Sequence, residues 1–110
     1  MYGRVARFEG LDRARIDDGI AAMKQQMAAA RAGTVPEGAP EQLGVLMETV
    51  KRFLELVDRE SGTSLGILFC DTEEDLRRAD EALNAMSPGE GQGRRTSVET
   101  YEVALDEMFR

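Results

Sequence analysis

Along these 110 residues the spacing of apolar side chains switches between two and about 3.6, and the order of the switches leaves few folds open. Residues 2–10 alternate as a strand does. Tyr2, Ala6 and Phe8 share a parity with Arg4, and Gly3 and Val5 share the other with Arg7 and Glu9. After Gly10 the period lengthens: Ile16, Ile20, Met23, Met27 and Ala30 form one helical stripe, with Asp12 placed to cap it and Asp17 and Asp18 near its positive end. Residues 33–40 hold too much Gly and Pro for a regular element. Residues 41–49 are ambiguous: Leu43, Leu46, Met47 and Val50 suit a short helix, against the weakening effect of Gly44.

Period two returns over 50–58, where Leu54 and Leu56 oppose Phe53 and Val57. It continues over 64–70, where Leu65, Ile67 and Phe69 oppose Leu68 and Cys70. Ser61-Gly62 between these runs predicts a hairpin connection. Thr72 and Asp75 then have capping-box spacing. Leu76, Ala79, Leu83 and Met86 make a second helical stripe, ended by Pro88-Gly89. A last strand is predicted over 94–105, with Tyr101, Val103 and Leu105 on one side and Val98 on the other.

The order is β-α-β-β-α-β, the pattern of an α+β ferredoxin-like sandwich with an antiparallel sheet, and the length supports one domain over residues 1–110. Two helices cover one face of such a sheet, so the other face should be polar at alternate positions. Here both parities carry large apolar residues. A second copy is the simplest cover, which predicts a homodimer with sheets packed face to face.

Composition removes several functions. Asp and Glu outnumber Lys and Arg by 21 to 14, a net charge of −7, which disfavours nucleic acid or an anionic membrane as partner. With no histidine there is no histidine-based triad, no histidine-ligated zinc and no proximal-histidine haem. No metal and no cofactor are expected. The lone Cys70 needs no oxidising compartment, no apolar run is long enough to cross a bilayer, and the first residues lack a signal-like apolar region, so a cytoplasmic location is expected.

The segments Tyr2–Gly10, Arg15–Ile20, Leu56–Gly62 and Ser97–Leu105 resemble the successive elements of a small bacterial family within the antibiotic-biosynthesis-monooxygenase-like dimeric α+β barrels. The resemblance covers most of the chain apart from residues 33–49. It implies the dimeric barrel fold and a superfamily that includes cofactor-independent oxygenases of polycyclic phenols, haem-degrading enzymes and small-substrate isomerases. The haem-degrading members rely on a histidine this chain lacks. The phenol oxygenases are associated with asparagine, tryptophan and tyrosine, whereas here Asn84 is the sole asparagine and tryptophan is absent. No catalytic residue is carried over.

The residues left to weigh have bland readings beside sharper ones. Gly89–Gly93 with Arg94 and Arg95 resembles a phosphate loop in composition, but it leads into a strand instead of a helix N-terminus and reads as a connector. Cys70 is either a thiol activated at a helix start or a small buried hydrophobe, the latter favoured. Glu73, Glu74 and Asp75, like Asp17 and Asp18, read as solvated first-turn acids. Arg4 and Arg7 can bind a substrate anion, or pair with Glu9, Glu99 or Glu102. Met23, Met27 and Met86 can border a pocket with Phe69, or simply fill the core.

Two function classes follow. The first is a binding protein without catalytic residues that holds a small apolar or aromatic ligand between helices and sheet, through Tyr2, Arg4, Met23, Met27, Phe69, Met86 and Tyr101. The second is a cofactor-independent monooxygenase that desolvates and orients a polycyclic phenolate, stabilised by Arg4, Arg7, Tyr2 or Tyr101. The absence of histidine and tryptophan favours the first.

Overall fold

A computed structural model describes residues 1–33, 41–86 and 93–110. Strand β1 (Tyr2–Glu9) leads through a 3-10 turn (Arg13–Arg15) into helix α1 (Ile16–Arg31). Helix α2 (Glu41–Thr49) runs directly into strand β2 (Val50–Asp58), which turns into β3 (Thr63–Cys70). Helix α3 (Glu73–Asn84) and strand β4 (Arg94–Glu102) complete the fold. The four strands form one antiparallel sheet in the order β2-β3-β1-β4, so β2 and β4 are its edges. This is the expected ferredoxin-like α+β order with one addition, α2. The last strand stops at Glu102, short of the expected Leu105, although the Val103 N–H still donates to the Met1 carbonyl at 2.9 Å. The connector readings for 34–40 and 87–92, including most of Gly89–Gly93, lie outside the described residues.

Local chemistry explains the boundaries. Asp12 accepts from the Ala14 N–H at 3.2 Å and caps the 3-10 turn, one step earlier than a cap on α1 itself. Thr72 Oγ1 accepts from the Asp75 N–H at 3.1 Å and starts α3 as its spacing predicts. In the β2–β3 connection Gly62 takes φ +71°, a left-handed conformation costly to any side chain, and its N–H donates to the Asp58 carbonyl at 3.0 Å. On β4 the register slips between the partners of Arg7 and Phe8, which leaves Thr96 as a bulge residue.

Register fixes the two faces. Tyr2, Arg4, Ala6 and Phe8 lie level with Cys70, Leu68, Gly66 and Ser64, and Phe53 lies level with Leu68. This inner face carries the core. Leu68 and Cys70 pack with Leu76 and Ala79 of α3, edged by Tyr2, Leu46, Val50, Phe53 and Leu83. Helix α3 packs over it. The expected α3 stripe is inward as read. The α1 stripe is less covered: Ile16 and Ala30 are buried, Met23 is half-buried, and Met27 is exposed. Its closest packing is with the 3-10 turn before it, whereas α3 touches β1, β2 and β3.

The outer face holds Val5, Leu54, Leu56, Leu65, Ile67, Phe69 and Tyr101. The Phe69 ring lies over Gly3, 3.5 Å from where a Cβ would stand. Leu56 and Tyr101 are 52% and 54% exposed. Beyond β4, Leu105, Met108 and Phe109 are exposed as well. Among the described residues no helix is long and apolar enough to cross a membrane.

Candidate functional site

The inner face is apolar over much of β1, β2 and β3, with Ser64, Thr100 and Glu102 also level with it, and two charged groups within it stand out. The first is Arg4, central on β1 and only 3% exposed. A guanidinium there needs partners, and α3 supplies them from Asp80 and Asn84, four residues apart on one side of the helix. Arg4 Nε donates to Asp80 Oδ1 at 2.7 Å, and Nη2 donates to Asn84 Oδ1 at 3.2 Å. Asn84 Nδ2 in turn donates to Asp80 Oδ2 at 3.4 Å. A guanidinium carries five N–H donors, and two are used here. Nη1 has no partner among the described residues, yet no buried side-chain nitrogen or oxygen is left unsatisfied, so Nη1 keeps contact with solvent. The result is a buried cation held in one orientation with donors to spare.

The second polar place is Glu55 on β2. It lies level with Gly66, and through it with Ala6, on the inner face. It is half-buried, with no hydrogen-bond or ion-pair partner among the described residues. Burial pushes its carboxyl above the ordinary carboxylate value. The folded state therefore holds this proton more tightly than the unfolded chain, and stability falls as pH rises from the unfolded value through the raised one. Glu55→Gln is expected to stabilise the protein at neutral pH, by roughly 1 kcal/mol at most, and the gain is expected to vanish below about pH 4. Thermal melts at the two pH values check this. A neutral-pH melting point no higher than the parent's means that water fully solvates the carboxylate.

The residues singled out from the sequence divide between faces. Tyr2 and Arg4 lie inward, Tyr2 half-buried against the Leu68 and Cys70 core. Met86 is half-buried just past α3. Phe69 and Tyr101 lie on the outer face, so within one chain Phe69 borders no pocket with the helix methionines. Arg7 is also outward, 3.9 Å from Glu9, as one of the pairings considered for it. The partner of Arg4 is none of Glu9, Glu99 and Glu102: Glu9 and Glu99 have the opposite parity on the sheet, and α3 brings Asp80 to the guanidinium instead. Tyr101 donates its hydroxyl to Glu99, which holds its proton above the usual phenol range.

Cys70 is fully buried at the β3–α3 junction. Burial pushes its thiol up, and Asp75 and Asp71 add to the effect, against activation by the helix start. Its alkylation by maleimide at neutral pH is expected to be at least ~100-fold slower in the native protein than in denaturant. Native and denatured rates within a few-fold of each other would contradict this. Two open clefts lie elsewhere, about 690 Å³ beside Arg7, Leu56, Asp58 and Leu65, and about 320 Å³ between α2 and α3. Among the described residues no group of three acids or cysteines could hold a metal.

No protein-family model matches the chain, and no curated protein matches it. A solved structure does: a point mutant of MhuD with two manganese protoporphyrin IX molecules bound per active site. It superposes with a TM-score of 0.52 and 14% identity over 98% of this chain and 99% of that one. At that identity the match establishes the fold, which both chains share from end to end.

Proposed function

We propose that this chain is a one-domain homodimeric α+β barrel that binds a small planar aromatic acid between α3, α1 and the sheet, without turning it over. The observation that carries the reading is Arg4, a buried guanidinium fixed by Asp80 and Asn84 whose Nη1 has no hydrogen-bond partner among the described residues. A purely structural arginine would use its donors within the protein; this one has spare donors for a ligand carboxylate. Tyr2, two residues along the same face of β1, supplies apolar wall beside it. The fold neighbour supports the ligand class, since protoporphyrin IX is a flat aromatic dicarboxylic acid. With no histidine in this chain, such a ligand is held through its acid groups.

The dimer is the cover for the outer face. Four strands about 4.8 Å apart and eight residues long make a face of roughly 500 Å² in projection, short of the roughly 800 Å² that each partner of a stable dimer commits, so the exposed Leu105, Met108 and Phe109 beyond β4 are needed to extend it. The monooxygenase reading gains less: Tyr101, one of its stabilising groups, lies outward on Glu99. The buried lone thiol suits a cytoplasmic protein.

Native mass spectrometry of the purified chain, followed by titration with metal-free protoporphyrin IX, tests the proposal. A dimer whose porphyrin absorption shifts at micromolar ligand, and no longer does so in Arg4→Leu, is the expected result. A micromolar monomer overturns the barrel. An unshifted spectrum in the parent overturns the porphyrin-like ligand. Oxygen uptake above a protein-free blank with polycyclic phenols overturns the non-catalytic part.

A further inference from the structure

The larger cleft, about 690 Å³, lies on the outer face at the β2–β3 turn, and its lining follows from the register. Arg7, Leu65 and Leu56 share one row across β1, β3 and β2, and Asp58 stands two residues beyond Leu56. Taken diagonally, the cleft presents a cation, two apolar side chains and an anion. Arg7 and Asp58 are two strand spacings across and two residues along from each other, so their Cα atoms are roughly 12 Å apart. Leu56 is half exposed, and Arg7 has only a loose pairing with Glu9 at 3.9 Å. The segment beyond β4 carries the complementary order, Glu107-Met108-Phe109-Arg110. When extended, its acid and its base are about 10 Å apart with the two apolar residues between them. Its own sheet does not cover it: Leu105, Met108 and Phe109 are 78%, 87% and 95% exposed. It also leaves β4 at the end away from the cleft, since Glu102 is level with Tyr2, about 17 Å along the strands from Arg7.

A two-fold axis between two outer faces, running across the strands, removes that distance. It makes the strands of the two copies antiparallel and brings the end of one β4 over the Arg7 end of the other sheet. From there Glu107 must cross about 10 Å between packed sheets and one strand spacing sideways, and the extended chain after Glu102 spans about 17 Å by Glu107. We infer that the segment beyond β4 of each copy seats in the cleft of the other, Glu107 on Arg7 and Arg110 on Asp58, with Met108 and Phe109 over Leu65 and Leu56. This rests on the homodimer proposed above and sets which way round its two sheets meet. Phe109 alone brings about 150–250 Å² of surface, a large part of what the sheet face lacks.

Charge reversal in the full chain tests the exchange. Sedimentation equilibrium gives the dimer dissociation constant of the parent, of Arg7→Glu, of Glu107→Arg and of the two variants mixed, and native mass spectrometry identifies the mixed dimer by its mass. Each variant alone is expected to dissociate about tenfold more readily than the parent, Glu107→Arg doing so even though it lowers the negative charge of each copy. Mixed in equal amounts, the two are expected to form mixed dimers within about threefold of the parent's affinity, because each contact then pairs an acid with an arginine. Asp106→Arg, on the opposite side of the extended segment, is expected to change the dissociation constant by less than about threefold. Phe109→Ser is expected to weaken the dimer by about tenfold or more with an unchanged far-UV circular dichroism spectrum. A parent dimer that none of Arg7→Glu, Glu107→Arg and Phe109→Ser weakens overturns the exchange and leaves the dimer standing. So does mixing that restores nothing, since the contact is then not between copies. A parent that is monomeric at micromolar concentration overturns both.

Discussion

Leu54→Asp is expected to give a folded monomer, and Leu68→Asp is expected not to fold. The two leucines lie on neighbouring strands but on opposite faces. Leu54 is level with Ile67 on the outer face, and Leu68 is buried against Leu76 and Ala79. A carboxylate at Leu54 remains solvated in the separate subunit and is buried only when two outer faces meet. A desolvated, unpaired charge on each side of a two-fold interface costs several kcal/mol, so dimer dissociation should rise by about a thousandfold or more. At Leu68 the same carboxylate has no water in the folded chain, and it also removes a core side chain worth about 2–5 kcal/mol. Analytical ultracentrifugation with far-UV circular dichroism separates the outcomes. A Leu54→Asp protein that remains dimeric would place the interface elsewhere.

Arg4→Ala carries the second large effect. Removing one partner of a buried ion pair costs about 3–5 kcal/mol when the remaining charge is stranded. Asp80 is 30% exposed, so water takes over part of the solvation, and a loss of about 2–3 kcal/mol is expected. That lowers the melting temperature by roughly 10–20 °C in a chain of this size. Replacing Arg4 and Asp80 together by leucine should recover much of the loss, because the stranded charge goes with its partner. Urea denaturation of the two single variants and the double variant measures this. A cost below about 1 kcal/mol for Arg4→Ala would mean that the pair behaves as an exposed one.

The topology was legible because side-chain parity in strands is strict. Leu54 against Phe53, and Tyr101 against Val98, could be assigned before any coordinates, and the register agrees. Helix α2 was ambiguous because nine residues with Gly44 among them carry little local preference; packing against α3 settles it. The polar partners were harder. Asp80 and Asn84 look like an ordinary solvated helix face, and nothing local says that an arginine some 80 positions earlier will lie beneath them. Glu55 did leave a trace: it has the inward parity of Phe53 and Val57, so a charge was readable in an apolar row, but Leu54 and Leu56 on either side draw attention to the other face. Met27 fits its helical stripe without being buried, because periodicity reports which way a residue points and not how closely the sheet approaches.

The sheet ends on two edge strands, β2 and β4, and among the described residues no further strand pairs with either edge. Lys51 and Asp58 interrupt one edge, and Arg94 and Arg95 the other, which discourages further strands from adding. Those charges do nothing for the apolar face between the edges. If the proposed dimer forms, a subunit that separates from it while still folded presents a sticky sheet and two strand templates at once. Loss on storage should then begin with separation and not with melting. For such a dimer, solution conditions that hold the two copies together, even at no gain in melting temperature, are expected to be the ones that slow aggregation.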